Sequence, residues 1–171
     1  HTPEALKTAI NALKEHYKKK ITVVFGCGGE RDKSKRKLMG KIANQLCNKV
    51  IITDDNPRNE SPKIIREQIL SVIKKNKFKE IPGRKKAIIY ALKNSDPYEI
   101  ILIAGRGHET YQDFGKRKVP LSDKKIIQNF NSKKINTKIN YFKNNNTLIK
   151  KILKNKKNIY FEGVSINSKS I

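Results

Sequence analysis

The chain has 171 residues, of which 36% are apolar, and a formal net charge of +24. This length allows one domain with a real core and some additional chain. No apolar run approaches the roughly 20 residues that a membrane-spanning helix needs, and no signal-peptide pattern is present. Cys27 and Cys47 are far apart, which favours neither a disulfide framework nor a zinc site and fits reduced thiols in a cytoplasmic protein.

The strong positive charge has two interpretations. A charge of +24 is typical of proteins that bind nucleic acid. Lysine, asparagine and isoleucine are all abundant, however, and their codons are rich in A and T, so a base bias of the genome would also produce this charge. Aromatic residues make up 7% of the chain and form no RNA-stacking motif, so the sequence favours a solvated lysine-rich surface without a nucleic-acid partner.

The first third of the chain predicts a helix, a strand and a second helix. Thr2-Pro3 combines an N-cap residue with proline at the first helical position, and the apolar spacing that follows predicts a helix to about Lys18. The β-branched run Ile21–Phe25 predicts a buried strand. The residues of the second helix expected to face inward are Leu38, Met39, Ile42, Ala43, Leu46 and Cys47.

The same alternation continues to about residue 130. Val50–Ile52 predicts a second strand, Ser61-Pro62 is expected to cap a third helix, and Glu80–Pro82 is too short to assign. The inward residues of the third helix are expected to be Ile64, Ile65, Ile69, Leu70 and Ile73. The later predicted elements are a helix between Gly83-Arg84 and Asp96-Pro97, an apolar strand at Ile100–Ala104, a hairpin turn at Asp113–Gly115 and a last helix capped by Ser122-Asp123.

Apolar strands that alternate with amphipathic helices predict an α/β fold, a Rossmann-like and mostly parallel sheet with helices on both faces. We expect this domain to occupy residues 1–131. Residues 132–147 are rich in asparagine and lysine and predict a linker, and an irregular basic tail continues to residue 171. The chain opens on His1 rather than methionine, which suggests a fragment of a longer polypeptide.

Three predicted strands end in loops that carry reactive or ligand-binding groups. These loops are Gly26–Asp32, Asp54–Arg58 and Gly105–Glu109. Because ligands of open parallel sheets bind beyond the carboxyl ends of the strands, we expect all three loops at one rim. Pro57 stiffens the middle loop, whose carboxylates, amide and guanidinium suit a ligand that carries both ammonium and carboxylate groups.

Other interpretations of these loops receive less support. Gly26-x-Gly28 begins like a dinucleotide fingerprint, but Arg31 stands where the third glycine should be. No P-loop motif is present. His108 could act as a base or a metal ligand, yet no second histidine or cysteine lies nearby in the sequence, so a hydrogen-bonding role is favoured.

Several motifs together resemble the C-terminal domain of Mur ligases. They are His1-Thr2-Pro3, Phe25-Gly-Cys-Gly-Gly-Glu-Arg-Asp-Lys33 with Lys35-Arg36, Asp55-Asn-Pro-Arg58 and Gly105-Arg-Gly-His-Glu109, in this order. Within that family the chain is most similar to the ligases that add a third residue, 2,6-diaminopimelate, to the peptidoglycan stem peptide. Jointly the motifs are specific, although each alone is not.

The resemblance implies a binding site for meso-diaminopimelate. Arg31 would bind one of its carboxylates, and the Asp55-Asn56-Pro57-Arg58 loop would recognise its distal amino acid end. Gly105, through its backbone, and Glu109 would complete the pocket. L-lysine lacks the distal carboxylate and would leave Arg58 unpaired, at a cost of a few kcal/mol.

The resemblance also implies the reaction, an ATP-dependent amide formation on UDP-MurNAc-L-Ala-D-Glu. A central domain that this chain lacks would bind ATP and Mg²⁺ through a P-loop and activate the D-glutamate carboxylate. His1, Asp32 and Lys33 would lie near the nucleotide. Catalysis by this domain would consist mainly of positioning the amine, with no catalytic side chain and no metal ligand of its own, and the isolated chain should not turn over.

The tail departs from the family pattern. Phe161-Glu-Gly-Val-Ser-Ile-Asn-Ser-Lys169 resembles the opening of another Mur ligase N-terminal domain, and residues 148–171 are expected to be its truncated start. The ligase that adds D-alanyl-D-alanine is the natural candidate. The sequence therefore suggests a fragment of two fused ligases.

Overall fold

The computed structural model describes residues 2–131. Its helices are α1 (Pro3–Tyr17), α2 (Ser34–Leu46), α3 (Pro62–Leu70), α4 (Arg84–Asn94) and α5 (residues 123–131). Its strands are β1 (Ile21–Phe25), β2 (Lys49–Ile52), β3 (Phe78–Glu80), β4 (Ile100–Ile103), β5 (Tyr111–Asp113) and β6 (Lys118–Pro120). No helix in this part of the chain is both long and apolar enough to cross a membrane.

Four strands form a parallel sheet in the order β3-β2-β1-β4. Strand β1 pairs with both β2 and β4, so that Val23 lies beside Val50 on one side and Leu102 on the other. The carboxyl ends of β2, β1 and β4 are therefore neighbours at one rim of the sheet. Strands β5 and β6 form a separate antiparallel hairpin.

The strands are apolar because helices cover both faces of the sheet. Alternate residues of β1 face opposite ways: Val23 and Phe25 pack with α1, α2 and α3, whereas Val24 packs with α4. Ile126 and Ile127 of α5 pack on the α4 side. The predicted α/β class, with a parallel sheet between helical layers, is confirmed.

Some details of the helices differ from the sequence-based predictions. Leu38 and Ile64, expected to face inward, are 47% and 51% exposed. Arginines occupy places on the inward faces instead, Arg36 in α2 and Arg66 in α3, because the carboxylates of Glu60 and Glu80 lie within hydrogen-bond distance of them. Ser61 holds the N-cap position of α3, but its side chain makes no capping hydrogen bond.

The structure also shows which of the predicted strands lie at the edges of the sheet. The short segment near Glu80 is the end of β3, an edge strand of the sheet. The apolar strand β4 lies at the other edge of the sheet described by residues 2–131, so its residues are only half-buried. The hairpin turn and the last helix occur where the sequence predicts them. The predicted linker (132–147) and tail (148–171) lie outside the described residues.

Gly40 provides a test of how closely α2 and α3 pack. A Cβ atom at this position would lie 2.5 Å from the carbonyl oxygen of Ile69. Replacing glycine by alanine in a helix gains about 1 kcal/mol of propensity, but overpacking against backbone costs about 1–3 kcal/mol. We expect Gly40→Ala to lower the free energy of unfolding by about 1 kcal/mol or more in urea titrations. Lys41→Ala, at the exposed neighbouring position, should change it by less than about 0.5 kcal/mol, and a stabilised Gly40→Ala protein would contradict this packing.

Candidate functional site

A cleft of about 500 Å³ opens at the carboxyl ends of β1, β2 and β4. Its lining comes from the loops after these three strands, from α2 and from the start of α1. The lining residues are Thr2, Gly26, Cys27, Gly28, Arg31, Asp32, Lys35, Met39, Asp55, Asn56, Arg58 and Glu109. The three loops that the sequence singled out therefore meet at one rim and surround one cleft.

The Asn56 side chain joins the middle loop to the third loop and to the hairpin. Its Oδ1 accepts hydrogen bonds from Arg106 Nη1 at 2.8 Å and from the backbone N–H of Asp113 at 2.9 Å. Its Nδ2 donates to Glu109 Oε2 at 2.8 Å. The backbone carbonyl of Asn56 accepts from the N–H of Gly29 at 2.9 Å, which adds the first loop.

Arg58 is held over the glycines of the first loop. Its Nη1 donates to the carbonyl of Gly29 at 2.6 Å, and its Nε lies 3.8 Å from Asp113 Oδ2. The backbone of Arg58 has a φ of 52°, a left-handed conformation that non-glycine residues rarely adopt. Its N–H donates to the carbonyl of Asp113, so the hairpin helps to hold this conformation.

Asp55 is the buried acidic group of the cleft. Its side chain is 1% exposed, and Oδ2 has no hydrogen-bond partner within the described residues. Burial raises the pKa of Asp55 above its usual value, and the guanidinium of Arg84, with Nη1 3.8 Å from Oδ2, opposes that shift. Gly105 lies directly behind: a Cβ there would be 2.8 Å from Oδ2, and its φ of +112° also requires glycine.

Two further ion pairs, each formed by a buried arginine, hold the loops in place. Arg36 donates through both terminal nitrogens to Glu60, at 2.9 Å each, and through Nη2 to the carbonyl of Gly28 at 3.2 Å. Arg84 binds Asp123 through Nε and Nη2 and donates to the carbonyl of Ala104 at 2.9 Å. The first pair joins the first loop to the segment just before α3, and the second joins the start of the third loop to α5.

Asp54 does not join the cleft, although the sequence suggested that the middle loop presents two carboxylates to one ligand. Its Oδ1 accepts from Arg66, and its Oδ2 accepts from the N–H of Gly83 at 2.7 Å, at the start of α4. The two neighbouring carboxyl groups therefore have different surroundings, Arg66 and Gly83 for Asp54 and the cleft for Asp55. Only Asp55 faces the cleft.

The predicted site residues divide into three groups. Arg31, Asp32, Asp55, Asn56, Arg58 and Glu109 all line the cleft. Pro57 and Gly105 lie behind the cleft. Pro57 packs closely on Gly29: a Cβ atom added to Gly29 would lie 1.9 Å from the carbonyl oxygen of Pro57. Lys33 is exposed at the N-cap of α2 and does not line the cleft, and His1 lies outside the described residues.

The sequence did not reveal the buried arginines. Arg36, Arg84 and Arg106 are each 1% exposed or less, and together they hold all three loops. Arg36 and Arg106 belong to the motifs that carry the resemblance, which is the one signal that singles them out, and Arg84 has none. Gln112, whose side chain donates to the carbonyl of Asp55, and Asp113 were also missed.

His108, which the sequence left open as a base or a metal ligand, lies away from the cleft. Residues 2–131 contain no group of histidine, cysteine and carboxylate side chains that could hold a metal ion. His108 is exposed and is not among the residues that line the cleft. Asp32 accepts from the N–H and hydroxyl of Ser34, which lowers its pKa.

Comparison with known proteins identifies the family. The profile described as "Mur ligase, glutamate ligase domain" matches residues 1–107. A ligase named UDP-N-acetylmuramoyl-L-alanyl-D-glutamate–2,6-diaminopimelate ligase, from Buchnera aphidicola subsp. Acyrthosiphon pisum, is 52% identical over 136 residues, which are 79% of this chain and 27% of that protein. The ligase of the same name from Rickettsia montanensis is 48% identical over 130 residues, 75% of this chain and 27% of that protein.

A solved structure agrees with these relatives. A structure of UDP-N-acetylmuramoyl-L-alanyl-D-glutamate–2,6-diaminopimelate ligase superposes with a TM-score of 0.71 and 36% sequence identity, over 76% of this chain and 27% of that one. The chain belongs to the Mur ligase family, as a glutamate ligase domain. It spans about a quarter of the length of the curated relatives it matches.

Both cysteines should be slow to react in the folded protein. Burial raises the pKa of Cys27 to about 12, with Asp55 adding to the shift, and burial raises that of Cys47 to about 12. Since the thiolate is the reactive form, labelling by a thiol reagent at pH 8 should be at least about 100-fold slower in the native chain than in urea. Rapid labelling of either thiol in the native chain would contradict this prediction.

Glu60 should make the folded state sensitive to acid. Its hydrogen bonds with Arg36 lower the pKa of Glu60 to about 2, whereas an unfolded glutamate titrates near 4.3. The stabilisation is therefore complete above about pH 4.3 and is lost as the pH falls toward 2. In urea titrations at pH 7 the free energy of unfolding should be higher for the wild type than for Glu60→Gln. This difference in the free energy of unfolding should be smaller at pH 3. A gap that is constant with pH would contradict this pairing.

Proposed function

We propose that this chain is the amino-acid-binding domain of an ATP-dependent ligase that adds meso-diaminopimelate to UDP-MurNAc-L-Ala-D-Glu in peptidoglycan synthesis. The names of the relatives, at 48% and 52% identity, support this substrate. We place the reaction in the cytoplasm, where ATP and a UDP-linked precursor are both available. The two unpaired cysteines fit that compartment.

The observation that carries the proposal is the presence of both charges around the cleft. Arg31, Lys35 and Arg58 contribute cationic side chains to its lining, and Asp32, Asp55 and Glu109 contribute carboxyl groups. A ligand that ends in an α-amino acid group carries both charges at one carbon. Guanidinium groups bind its carboxylate and carboxylates bind its ammonium, so the cleft suits such a zwitterion.

Within this proposal each group has a role. Arg58 and Arg31 bind carboxylates of diaminopimelate, and Glu109 accepts from the distal ammonium, with the buried carboxyl group of Asp55 completing that side of the cleft. Asn56 donates from its amide, Gly105 supplies backbone that leaves space beside Asp55, and Pro57 fixes the loop. The domain thereby directs the other amine toward the activated D-glutamate carboxylate, so that catalysis here is positioning.

ATP and Mg²⁺ do not fit the described residues as their main site. The chain has no P-loop, and residues 2–131 present no cluster of metal-binding side chains. We therefore assign nucleotide and metal to another part of the complete ligase. Asp32 and Lys33, both exposed, and His1 are proposed to approach the nucleotide when the domains close.

The tail is proposed to begin a second Mur ligase, the one that adds D-alanyl-D-alanine. The support is the sequence Phe161–Lys169 alone, which lies outside the described residues. The encoding sequence on both sides tests the proposal. A P-loop upstream and a second one downstream would support the fusion, and a stop codon directly after residue 171 would contradict it.

The substrate is tested in a complete ligase in which residues 1–131 replace the matching region of the Buchnera relative. We expect Arg58→Ala to raise the KM for meso-diaminopimelate roughly 10- to 100-fold, because a charge-assisted hydrogen bond is worth about 1.5–3 kcal/mol. The KM for ATP should change less than about twofold. Arg117→Ala, which removes an exposed arginine of the hairpin, is the matched control and should change neither constant.

The same ligase distinguishes the substrates. Product formation should require meso-diaminopimelate, with L-lysine at least about 100-fold less efficient because it has no distal carboxylate for Arg58 to bind. Equal use of L-lysine would refute the proposed role of the Asp55–Arg58 loop. The alternative, a basic nucleic-acid-binding module, predicts salt-dependent binding of DNA or RNA to the chain, and absence of binding at physiological salt would dispose of it.

A further inference from the structure

We infer that Arg106 is a positioning residue for amino acid recognition, which fixes the direction in which the Asn56 amide and the Glu109 carboxylate face the cleft. The inference rests on the proposed function for its substrate, but its structural part does not depend on any ligand. Arg106 itself does not line the cleft, so it would act only through other residues.

Arg106 is an arginine inside the protein, with its side chain 0% exposed. Its Nη1 donates to Asn56 Oδ1 at 2.8 Å, and its Nη2 donates to the carbonyls of Tyr111 at 2.6 Å and Leu121 at 3.0 Å. The guanidinium thus joins the third loop to the middle loop and to both sides of the hairpin. A buried charge is costly to desolvate, so a structural arginine in this position needs these acceptors.

These contacts determine the orientation of the Asn56 amide. Oδ1 faces two donors, Arg106 Nη1 and the N–H of Asp113, and Nδ2 faces the carboxylate of Glu109. Rotating the amide by half a turn would place its NH₂ group against both donors and its oxygen against a carboxylate. The network therefore keeps the amide as a hydrogen-bond donor on the cleft side.

Arg106 also acts on Glu109. Nη1 lies 3.8 Å from Glu109 Oε2, and the N–H of Glu109 donates to the carbonyl of Arg106 at 2.8 Å. The glycines on either side, Gly105 and Gly107, have φ values of 112° and 44°, which turn the loop back on itself around Arg106. The Arg106 side chain thereby places the donor, the Asn56 amide, next to the acceptor, the Glu109 carboxylate, at the cleft.

The test compares Arg106→Met and Arg106→Lys with Arg66→Met in the complete ligase described above. Arg66→Met is the matched control. Arg66 is also a buried arginine, but it pairs with the carboxylates of Asp54 and Glu80, neither of which lines the cleft. We expect Arg106→Met to raise the KM for meso-diaminopimelate at least 10-fold, with the KM for ATP within twofold. Arg106→Lys should recover part of this loss, since lysine can donate to Asn56 Oδ1 but cannot reproduce the fork. Arg66→Met should lower stability and leave both constants near their wild-type values.

A second readout needs no ligand. In NMR spectra of the 171-residue chain, the side-chain NH₂ signal of Asn56 should be protected from solvent exchange in the wild type and in Arg66→Met. Protection should fall at least 10-fold in Arg106→Met and by less in Arg106→Lys. Should Arg106→Met fail to fold, Arg106→Lys alone decides: an unchanged amide signal and an unchanged KM would overturn the inference.

The outcomes separate this inference from the proposed function. If the wild-type ligase does not use meso-diaminopimelate but Asn56 loses protection in the Arg106 variants, the proposed substrate fails and the positioning role stands. If the wild type uses meso-diaminopimelate and the Arg106 variants lose stability without a change in KM or in the Asn56 signal, Arg106 is merely structural. A rise in the KM for ATP equal to that for diaminopimelate would also contradict a role in amino acid recognition.

Discussion

The hydrogen bonds of one buried amide, Asn56, hold the candidate site together. Through its side chain and its carbonyl, this residue contacts the first loop, the third loop and the hairpin. Each such bond contributes only about 1 kcal/mol net, but a buried donor left without its acceptor costs about 1–3 kcal/mol. The loops therefore form one cooperative unit, and a change in one of them is felt by the other two.

The charges around this amide explain why the site is built from arginines. Arg36, Arg84 and Arg106 are buried at the rim, whereas the two clusters of buried side chains between the sheet and the helices are apolar. Each guanidinium has several donors in a fixed plane and can therefore bind a carboxylate and a carbonyl at once. Breaking one of these pairs would leave a buried charge without its partner, so the pairs keep the loops in one geometry, which suits the proposed positioning of an amino acid.

Two residues at the same rim have an unfavourable backbone conformation. Glu30 and Arg58 adopt left-handed φ values of 54° and 52° in loops that face one another, and Asn59 joins them by donating to Glu30. Such conformations are found mostly where surrounding contacts impose them, and they concentrate at functional sites. The hairpin supplies those contacts for Arg58, so its role is to support the middle loop from outside the sheet.

Much of the fold could be predicted from the sequence because its signals are local. The β-branched runs and the helical spacing of apolar residues determine the strands and helices, and the parallel order brings the three loops to one rim. The errors came from contacts between distant residues. Arg36 reads as part of a solvated lysine-rich helix, yet it is buried because Glu60 and Gln68 lie opposite it. Arg84 bonds to Asp123, 39 residues away, and no local pattern indicates such a pair.

The same distinction applies to the candidate site. Arg31, Asp55, Arg58 and Glu109 were predicted together because they lie in loops that follow three strands and because the resemblance assigns them to one binding site, and all of them line the cleft. Asp54 was grouped with Asp55 from its position alone, and the structure separates the two because Arg66 and Gly83 bind Asp54. Sequence position shows which rim a residue reaches, whereas the direction of its side chain depends on its partners.

The proposed binding mode can be read from a crystal structure of the chain soaked with meso-diaminopimelate. We expect one carboxylate of the ligand within about 3 Å of the Arg58 guanidinium and the neighbouring ammonium at a similar distance from Glu109. A ligand that binds with its ammonium toward Arg58, or outside the cleft between the three loops, would contradict it.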